Sequence, residues 1–360
     1  MQIISAKFLN LKPFKHLAIE LQPNINVFAG ASGSGKTSLL QGLAWGLQPV
    51  LAYFAPRSRL LLPGSLIRRT VVNVQGRRLL ESKSPLQAEL ELRMQERTFA
   101  VSMRAGSQDE ASEIPSPAAD IGRSTSFGST LPVFAFYRAG RHFNLQALEE
   151  ASVSLVPEER KSAYQGWDDA ASPAEAQKLI QWLVAKSTER LQAAIRAGIR
   201  FEAVDDDELS VLESALRLTF PNFKSIYWDW NARCVLVERM RALDGSEAPS
   251  AEVSPLSDLG DGERSLILLY ADIVRRICLL NPHLGSAAAQ QTDGIVLIDE
   301  MDAHLHSNDL RQIIRGLSQS FPLIQFIACV QSPSSLDAEA LNEAFMLSKG
   351  EALKRVVTSG

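Results

Sequence analysis

The feature that most constrains the fold is a glycine-rich octapeptide, Gly-Ala-Ser-Gly-Ser-Gly-Lys-Thr, at residues 30–37. It matches the pattern GxxxxGK[ST], which forms a phosphate-binding loop when a strand leads into it and a helix follows it. The apolar run at residues 25–29 predicts such a strand, and residues 37–47 predict such a helix. The sequence therefore predicts a P-loop at the carboxyl end of a buried strand.

This loop predicts binding of ATP with Mg²⁺. Successive backbone N–H groups of such a loop cradle phosphate oxygens, and glycine lets the backbone approach them without a Cβ. Lys36 is expected to reach the β- and γ-phosphates, and the Thr37 hydroxyl is expected to ligate Mg²⁺. The residues predicted to bind ATP are Gly30, Ser32, Gly33, Ser34, Gly35, Lys36, Thr37 and Ser38.

A second motif predicts the catalytic carboxylates. Residues 294–298 are an apolar run that ends in Asp299 and Glu300. Open α/β sheets bind ligands at the carboxyl ends of their strands, so both side chains are expected beside the nucleotide. Asp299 is predicted to hold Mg²⁺, and Glu300 is predicted to act as the general base on the attacking water. On its own, a strand that ends in two acidic residues is equally consistent with a strand end that is simply exposed to solvent. The presence of a P-loop in the same chain favours the catalytic interpretation.

A third motif is a glycine-containing helix start before a predicted helix over residues 263–280. A helix N-terminus has unpaired N–H groups and a partial positive charge, which suits a phosphate. On its own it predicts only a loop and a helix cap. The residues concerned are Gly260, Asp261, Gly262 and Glu263.

The predicted elements give an α/β fold with three parts. Residues 1–145 hold the P-loop and an antiparallel β-lobe with a hairpin near residues 88–103, followed by a loop at 105–130 expected to be mobile because it lacks apolar anchors. Residues 146–254 form a helical insert with a hairpin, in which Ser172 starts a helix that stops near Gly198. Residues 255–360 alternate helix and strand, which is typical of a parallel sheet. No heptad persists, so no coiled-coil arm is expected.

The order of these motifs resembles the ATP-binding-cassette ATPases, and the details resemble their RecF/SMC branch. Residues 8–14, Phe-Leu-Asn-Leu-Lys-Pro-Phe, are similar to the opening strand of that branch. Residues 297–306, Leu-Ile-Asp-Glu-Met-Asp-Ala-His-Leu-His, are similar to stand-alone ATPases of bacterial anti-phage systems, such as the Septu ATPase and the overcoming-lysogenization-defect proteins. The likeness covers about residues 1–50 and 255–350. It implies a homodimer that sandwiches two ATP molecules, with residues 260–263 acting as the signature of the partner's site.

Two positions depart from the family pattern. Gly260 stands where the signature usually carries serine, and Gln331 stands where a histidine usually follows the next strand. A glutamine can hydrogen-bond a γ-phosphate, but it carries neither a proton nor a positive charge. We therefore assign Gln331 a catalytic position and expect slow hydrolysis.

Other residues have competing interpretations. Tyr137, Arg138 and Arg141 follow a predicted strand at the place of the family's nucleotide-sensing Q-loop, or they are a solvated arginine pair. His304 and His306 fit an interface segment better than a metal site. A basic stretch without acidic residues is a candidate DNA or RNA surface, or a set of ordinary surface arginines: Arg57, Arg59, Arg68, Arg69, Arg77 and Arg78.

Composition restricts the setting. The net charge is −4, so nothing in the overall charge attracts nucleic acid. The three cysteines, Cys234, Cys278 and Cys329, form no CxxC pair, which predicts reduced thiols in a cytoplasmic protein. The apolar runs are too short to span a bilayer, so no membrane partner is expected.

These features predict a Mg²⁺-dependent ATPase. The resemblance implies that its dimer controls a partner effector, a nuclease or toxin, in anti-phage defence. Two alternatives stay open: a RecF-like DNA-repair ATPase that binds duplex, and a scaffold that binds ATP but barely hydrolyses it. A transporter cassette is disfavoured, since no transmembrane segment is seen.

Overall fold

The computed structural model describes residues 1–54, 63–75, 77–105, 128–140, 159–241, 250–303, 307–331, 344–348 and 354–355. In chain order the strands are β1 (Gln2–Leu9), β2 (His16–Glu20), β3 (Ile25–Ala29), β4 (Arg69–Val74), β5 (Arg77–Ser82), β6 (Leu86–Met94), β7 (Arg97–Ala105), β8 (Val133–Tyr137), β9 (Phe223–Asp229), β10 (Cys234–Arg241), β11 (Ser250–Pro255), β12 (Gly294–Ile298), β13 (Ile324–Val330), β14 (Phe345–Met346) and β15 (Lys354–Arg355). The α-helices are α1 (Lys36–Gly46), α2 (Gln48–Phe54), α3 (Pro173–Ala197), α4 (Glu208–Thr219), α5 (Asp261–Leu280), α6 (Ala288–Gln291) and α7 (Ser307–Ser320).

A six-stranded sheet in the order β15-β14-β3-β13-β12-β8 forms the centre of the fold. Its neighbours pair in parallel, except β15, which is antiparallel to β14. Every residue of β8, β12 and β13 is buried, as parallel strands covered on both faces require. The register aligns Ile298 with Ala328 and Tyr137, so three strands end together at one edge.

An antiparallel sheet in the order β2-β1-β6-β7 lies beside the central one. Strand β6 alternates buried and partly or fully exposed residues along its whole length, as a sheet with one packed face does. Helix α1 contacts β6 and β7 of this sheet and also β12 and β13 of the central sheet. The helix that follows the P-loop is therefore held between the two sheets, and the predicted β-lobe is present.

The helical segment has the predicted caps. Ser172 Oγ accepts a hydrogen bond from Glu175 N at 3.4 Å, Pro173 is the first residue of α3, and Gly198 ends the helix at a φ of 66°. Helix α4 packs against α5 and α7, and one cluster of buried side chains runs through all parts of the described chain. The hydrophobic core is thus continuous across residue 254, and the division into three parts stays a prediction.

The structure corrects several boundaries. Strands β4, β5, β11, β14 and β15 were not predicted. In β4 and β5 no residue is fully buried, so neither strand has the buried face that the prediction relies on. Helix α5 begins at Asp261 rather than at residue 263, and α7 begins at Ser307 rather than at residue 310. Most of the loop expected to be mobile, residues 106–127, lies outside the described residues. In the described part, no helix has both the length and the apolar character needed to cross a bilayer.

Candidate functional site

The P-loop connects β3 to α1 in the predicted strand–turn–helix context. Gly35 is the N-cap of α1, and its φ of 106° lies in the left-handed region that favours glycine. A Cβ on Gly35 would approach the Pro13 and Phe14 side chains at 2.6–2.7 Å, so glycine is also required by packing. The first N–H groups of α1 therefore face the turn with no side-chain cap, which suits a phosphate.

The cation of the loop is held close to its backbone. Lys36 is 8% exposed, and its Nζ donates to the carbonyl oxygens of Gly30 and of Ala31, the latter at 3.1 Å. Ser34 Oγ is buried and has no hydrogen-bond partner among the described residues, so the loop also presents an unused hydroxyl. These groups are the donors that bound phosphate oxygens require.

Asp299 lies at the end of β12 and next to the P-loop. Its backbone N–H donates to Tyr137 O at 2.8 Å, and its carboxylate accepts a hydrogen bond from the Thr37 side chain. Burial raises the pKa of Asp299 above its ordinary value, and the hydrogen bond from Thr37 opposes part of this rise. The fold thus joins the two predicted Mg²⁺ ligands, which are far apart in sequence.

Glu300 and Gln331 contact each other. Gln331 Nε2 donates to Glu300 Oε1 at 2.9 Å, and Gln331 N donates to both carboxylate oxygens of Asp302 at 2.9 and 3.0 Å. Glu300 has a φ of 48°, a left-handed conformation that is uncommon outside glycine and concentrates at functional sites. The chain therefore bends at the carboxylate predicted to be catalytic, and the Gln331 amide holds this carboxylate.

These groups surround one cleft of about 300 Å³, the predicted nucleotide cleft. Its lining brings together the loop, the strand ends and two residues that sequence reasoning did not assign to the site, Lys12 and Pro13. The full lining is Lys12, Pro13, Ser32, Gly33, Gly35, Lys36, Thr37, Ser38, Asp299, Glu300 and Gln331. Lys12 belongs to the opening segment quoted for the family resemblance, but nothing in that pattern indicated its contact with the cleft.

The Thr37 hydroxyl and the Asp299 carboxylate fit Mg²⁺, a hard cation that prefers oxygen ligands and keeps several waters. Elsewhere in the described ranges, no group of three or more His, Cys, Asp or Glu residues could hold a metal ion. His304 and His306 lie outside those ranges.

The predicted signature residues lie at the N-terminus of α5 and do not line the cleft. Gly260 is the N-cap, Asp261 pairs with Arg264, and Glu263 pairs with Arg239 at 2.9 Å. A Cβ on Gly260 would find no atom within 4 Å. The helix start is therefore accessible, and its assignment to a partner's nucleotide stays a prediction.

Of the Q-loop candidates, Tyr137 and Arg138 do not line the cleft. The Tyr137 side chain is fully buried, and its hydroxyl donates to Asp272 Oδ2 at 2.8 Å. Arg138 donates to Asp168 O at 2.7 Å. Arg141 lies outside the described residues.

Tyr137 belongs to a buried ionic cluster that sequence reasoning missed. Arg275 and Arg276 of α5 bind Asp272 and also Glu175 of α3, and all four side chains are at most 5% exposed. Burial alone would raise the pKa of Asp272, but Arg276 and Arg275 hold it below its ordinary value. The cluster therefore joins α5 to α3 and, through Tyr137, to β8, the strand that lies beside β12 and Asp299.

The four described arginines of the basic stretch, Arg68, Arg69, Arg77 and Arg78, do not line the nucleotide cleft. Arg77, Arg78 and Arg69 lie in the β4–β5 hairpin, while Arg57 and Arg59 lie outside the described residues. A neighbouring cleft of about 500 Å³ is lined by Lys12, Pro13, Ser65, Ile67, Arg68 and Arg69. It shares Lys12 and Pro13 with the nucleotide cleft, so the two openings are adjacent.

The raised pKa of Asp299 predicts a conflict between stability and catalysis. Because the folded protein holds the Asp299 proton more tightly than the unfolded chain, its contribution to stability falls as pH rises from about 3.9 through the raised folded pKa. We expect Asp299→Asn to raise the unfolding free energy at pH 7 without Mg²⁺, because the amide removes the buried charge, and to abolish Mg²⁺-dependent ATP hydrolysis. Urea unfolding at pH 7 and near pH 4 measures the first effect.

The same titration includes its control. The gain should shrink toward pH 4, and added Mg²⁺ should stabilise the parent chain but not the variant. A variant that is less stable than the parent at pH 7 would contradict this account of Asp299.

Comparison with known proteins identifies the family. A family model described as "AAA domain, putative AbiEii toxin, Type IV TA system" matches residues 25–337. The chain is 39% identical over 99 residues to "Retron Vc95 probable ATPase" of Vibrio cholerae serotype O1 biovar El Tor, covering 28% of this chain and 19% of that protein. It is 38% identical over 105 residues to "Septu protein PtuA" of Bacillus mycoides (strain KBAB4), covering 29% of this chain and 14% of that protein.

A third relative, "Retron Ec83 probable ATPase" of Escherichia coli, is 31% identical over 154 residues, covering 43% of this chain and 26% of that protein. The chain thus spans about a quarter or less of the length of these relatives. These matches confirm the resemblance to stand-alone ATPases of the Septu kind.

Solved structures confirm the fold class. "Crystal structure of the SmcHead bound to the C-winged helix domain of ScpA" matches with a TM-score of 0.53 at 12% identity, over 99% of both chains. "SMC head domain from Thermotoga maritima" matches with a TM-score of 0.50 at 12% identity, over 99% of this chain and 100% of that one. At such identities the likeness concerns the fold alone.

Proposed function

This chain belongs to the AAA-domain family whose model it matches, and we propose that it is a Mg²⁺-dependent ATPase that acts as a homodimer to control a partner effector. One observation carries the proposal: a single cleft contains Lys36 and Thr37 of the P-loop together with Asp299, Glu300 and Gln331. The cleft thus holds a phosphate-binding cation, the oxygen ligands for a metal and a carboxylate for water.

Each side chain has a distinct part in hydrolysis. Lys36 neutralises charge on the terminal phosphates, and Thr37 and Asp299 would hold Mg²⁺. When bound, Mg²⁺ would supply further neutralisation of the phosphate charge. Glu300 accepts a proton from the attacking water, and Gln331 holds Glu300 in place through the hydrogen bond of 2.9 Å.

The position of the signature residues supports a dimer. Gly260, Asp261, Gly262 and Glu263 do not line the cleft of their own chain, although the start of α5 has the N–H groups that suit a phosphate. In a two-fold assembly, the helix start of each protomer would complete the nucleotide site of its partner. ATP would then link two protomers, and hydrolysis would release them.

The relatives support a role in anti-phage defence. Retron ATPases and Septu proteins are similar to this chain over the segments described above. We propose that the closed dimer engages an effector, a nuclease or a toxin, and that the hydrolysis cycle sets how long this engagement lasts. The buried thiols of Cys278 and Cys329, which form no disulfide in the described part of the chain, support a cytoplasmic setting.

The direct test is release of phosphate from ATP by the purified chain. We expect release that requires Mg²⁺ and stops with EDTA, together with an ATP-dependent rise in mass in light scattering. ATP binding without any release would instead favour the second candidate, an ATP-binding scaffold, which the replacement of a histidine by Gln331 supports.

A double substitution tests whether turnover is damped. We expect Gln331→His with Gly260→Ser to raise turnover and ATP-dependent dimerisation, because each restores a polar contact worth roughly 1 kcal/mol, or about fivefold. Gly260 offers open space for the serine side chain. Steady-state phosphate release and light scattering measure the two effects.

The matched control is Gly128→Ser, which adds the same side chain at another open glycine. It should leave both quantities unchanged. If neither turnover nor ATP-dependent dimerisation rises in the double variant, the residues at positions 260 and 331 do not limit the rate, and the hypothesis of slowed hydrolysis is refuted.

A further inference from the structure

The β4–β5 hairpin exposes apolar side chains that most of the fold would bury. In the described part of the chain it is a two-stranded sheet paired with no other strand. Val71 is 63% exposed and Leu80 is 69% exposed. Two-stranded sheets are marginally stable alone in water, so an exposed aliphatic pair here costs stability without gaining a core. Such a surface indicates a contact with another molecule.

The register divides the hairpin into two unlike faces. Directly paired residues point to the same side, and Val71 pairs with Leu80, Arg69 with Ser82, and Asn73 with Arg78. These six residues, all exposed, form the basic–apolar face. The aliphatic pair lies at its middle, with Arg69 toward the base of the hairpin and Arg78 toward the tip.

The opposite face has a different character. It carries Glu81, which pairs with Lys83 at 2.6 Å, and the Val72–Leu79 pair, in which Val72 is half-buried and Leu79 is 51% exposed. It also carries the Val74–Arg77 pair, in which Val74 is 49% exposed. The basic–apolar face has no acidic residue, so its two arginines face solvent beside an apolar centre. The opposite face thus has one arginine, one acidic residue and less exposed aliphatic side chains. The basic–apolar face has two arginines, no acidic residue and the two most exposed aliphatic side chains of the hairpin.

This combination favours a protein partner over nucleic acid. The phosphates of a nucleic acid could bind the arginines. Val71 and Leu80 would then face the charged phosphate backbone, which offers them no apolar contact. Residues 69–82 contain no aromatic residue on which a base could stack. A partner segment with an apolar side chain between two carboxylates could contact all four residues. The apolar side chain would pack on Val71 and Leu80, and the carboxylates would pair with the two arginines.

We propose that the basic–apolar face binds an acidic strand of a partner protein in which an apolar side chain lies between two carboxylates. Side chains on one face of a strand recur every second residue, about 7 Å apart. A pattern of acid, apolar and acid at alternate positions would place its centre over Val71 and Leu80 and its ends near Arg69 and Arg78. The proposal names a surface for the effector contact proposed above and rests on that function only for the partner's biological role.

The hairpin is tied to the segment that borders the nucleotide cleft. Arg68 N donates to Asn10 O at 2.8 Å, Lys12 N donates to Leu66 O at 3.0 Å, and Lys83 N donates to Arg68 O at 2.8 Å. Lys12 lines the nucleotide cleft. A partner on the basic–apolar face would therefore lie one chain segment away from the nucleotide.

The test is fluorescence anisotropy of the full chain with a labelled synthetic peptide in which glutamate, leucine and glutamate are separated by single serines. A peptide with lysine in place of glutamate is the charge control, and labelled duplex DNA and single-stranded RNA are the alternatives. The variants are Val71→Ser with Leu80→Ser, and Arg69→Ser with Arg78→Ser. The matched controls, Val72→Ser with Leu79→Ser and Arg77→Ser, perturb the same hairpin from its other face.

We expect binding of the glutamate peptide only. Both variants of the basic–apolar face should weaken it by about tenfold or more, and the opposite-face controls by no more than about twofold. Equal losses from both faces, or no binding of the glutamate peptide, would refute the proposal. Nucleic acid that binds more tightly than the peptide, and responds to the arginine variant but not to Val71→Ser with Leu80→Ser, would assign the face to nucleic acid.

Phosphate release measured on the same samples separates the two proposals. We expect it to be unchanged in all hairpin variants. If the chain binds the peptide through the basic–apolar face but releases no phosphate, the ATPase proposal is refuted and the docking surface stands. If it releases phosphate normally but does not bind the peptide, the docking surface is refuted and the ATPase proposal stands.

Discussion

Lys36→Ala is expected to weaken ATP binding by about 10²-fold or more. Lys36 Nζ lies within the P-loop on the carbonyl oxygens of Gly30 and Ala31, and it is the loop's own cation in a cleft that also contains Asp299 and Glu300. Without it, the negative charge of ATP would meet those carboxylates with less compensation. A charge-assisted hydrogen bond contributes roughly 1.5–3 kcal/mol, and Lys36 would make one to each of two phosphates. Isothermal titration with ATP and Mg²⁺ measures the loss.

Lys12→Ala is the matched control, since it removes the same charge from the rim of the same cleft. Its side chain is not part of the loop, so a change of only a few-fold is expected. Undiminished ATP affinity in Lys36→Ala would overturn the assignment of the P-loop, and equal losses in the two variants would mean that the cleft attracts ATP through its overall charge.

The grouping of the predicted site residues in one cleft could be expected from sequence, because the residues belong to local motifs on parallel strands. The P-loop requires a strand before it and a helix after it, and residues 25–47 satisfy both locally. Once β3 and β12 belong to one parallel sheet, their carboxyl ends share an edge. The meeting of Thr37 with Asp299 therefore follows from topology alone.

The contact between Gln331 and Glu300 could not be predicted. The contact depends on the left-handed backbone of Glu300 and on the hydrogen bond from Gln331 N to Asp302. Neither feature can be inferred from the spacing of residues in the sequence. The sequence placed Gln331 near a γ-phosphate by resemblance. The structure adds that its amide holds the carboxylate expected to activate water.

The β4–β5 hairpin was missed for a different reason. Strand prediction relies on alternation between buried and exposed side chains, but Val71 and Val72 are neighbours on opposite faces, as are Leu79 and Leu80. The arginines drew attention to charge alone. Only the register reveals that Arg69 and Arg78 share a face with Val71 and Leu80.

The buried cluster on α5 shows a similar limit. Asp272 with Arg275 and Arg276 has the i, i+3 and i, i+4 spacing of ordinary surface ion pairs. The cluster is buried because Glu175 and the carbonyl oxygens of Ala163 and Gln165 satisfy the remaining guanidinium donors. Those partners are about 100 residues away in sequence, so spacing along the helix cannot reveal them.

Glu300→Gln is expected to slow ATP hydrolysis by about 10²-fold or more while ATP still binds. The substitution keeps the side-chain shape, and its amide oxygen can still accept the hydrogen bond from Gln331 Nε2. The nucleotide contacts of Lys36 and Thr37 are untouched. What is lost is the ability to take a proton from water, so single-turnover phosphate release should fall and ATP affinity should stay constant.

Slow hydrolysis should also trap the closed state. If ATP links two protomers and hydrolysis separates them, Glu300→Gln should accumulate an ATP-bound dimer that the parent chain forms only briefly.

Asp302→Asn is the matched control. It makes the same carboxylate-to-amide change two residues along, where the carboxylate accepts hydrogen bonds from Gln331 N. We expect Asp302→Asn to slow release by less than about tenfold, since it loosens the loop but leaves the base in place. Parent-like turnover in Glu300→Gln would mean that another group accepts the proton. Slow turnover with no dimer in light scattering would leave Glu300 as the base and remove the link between hydrolysis and dissociation.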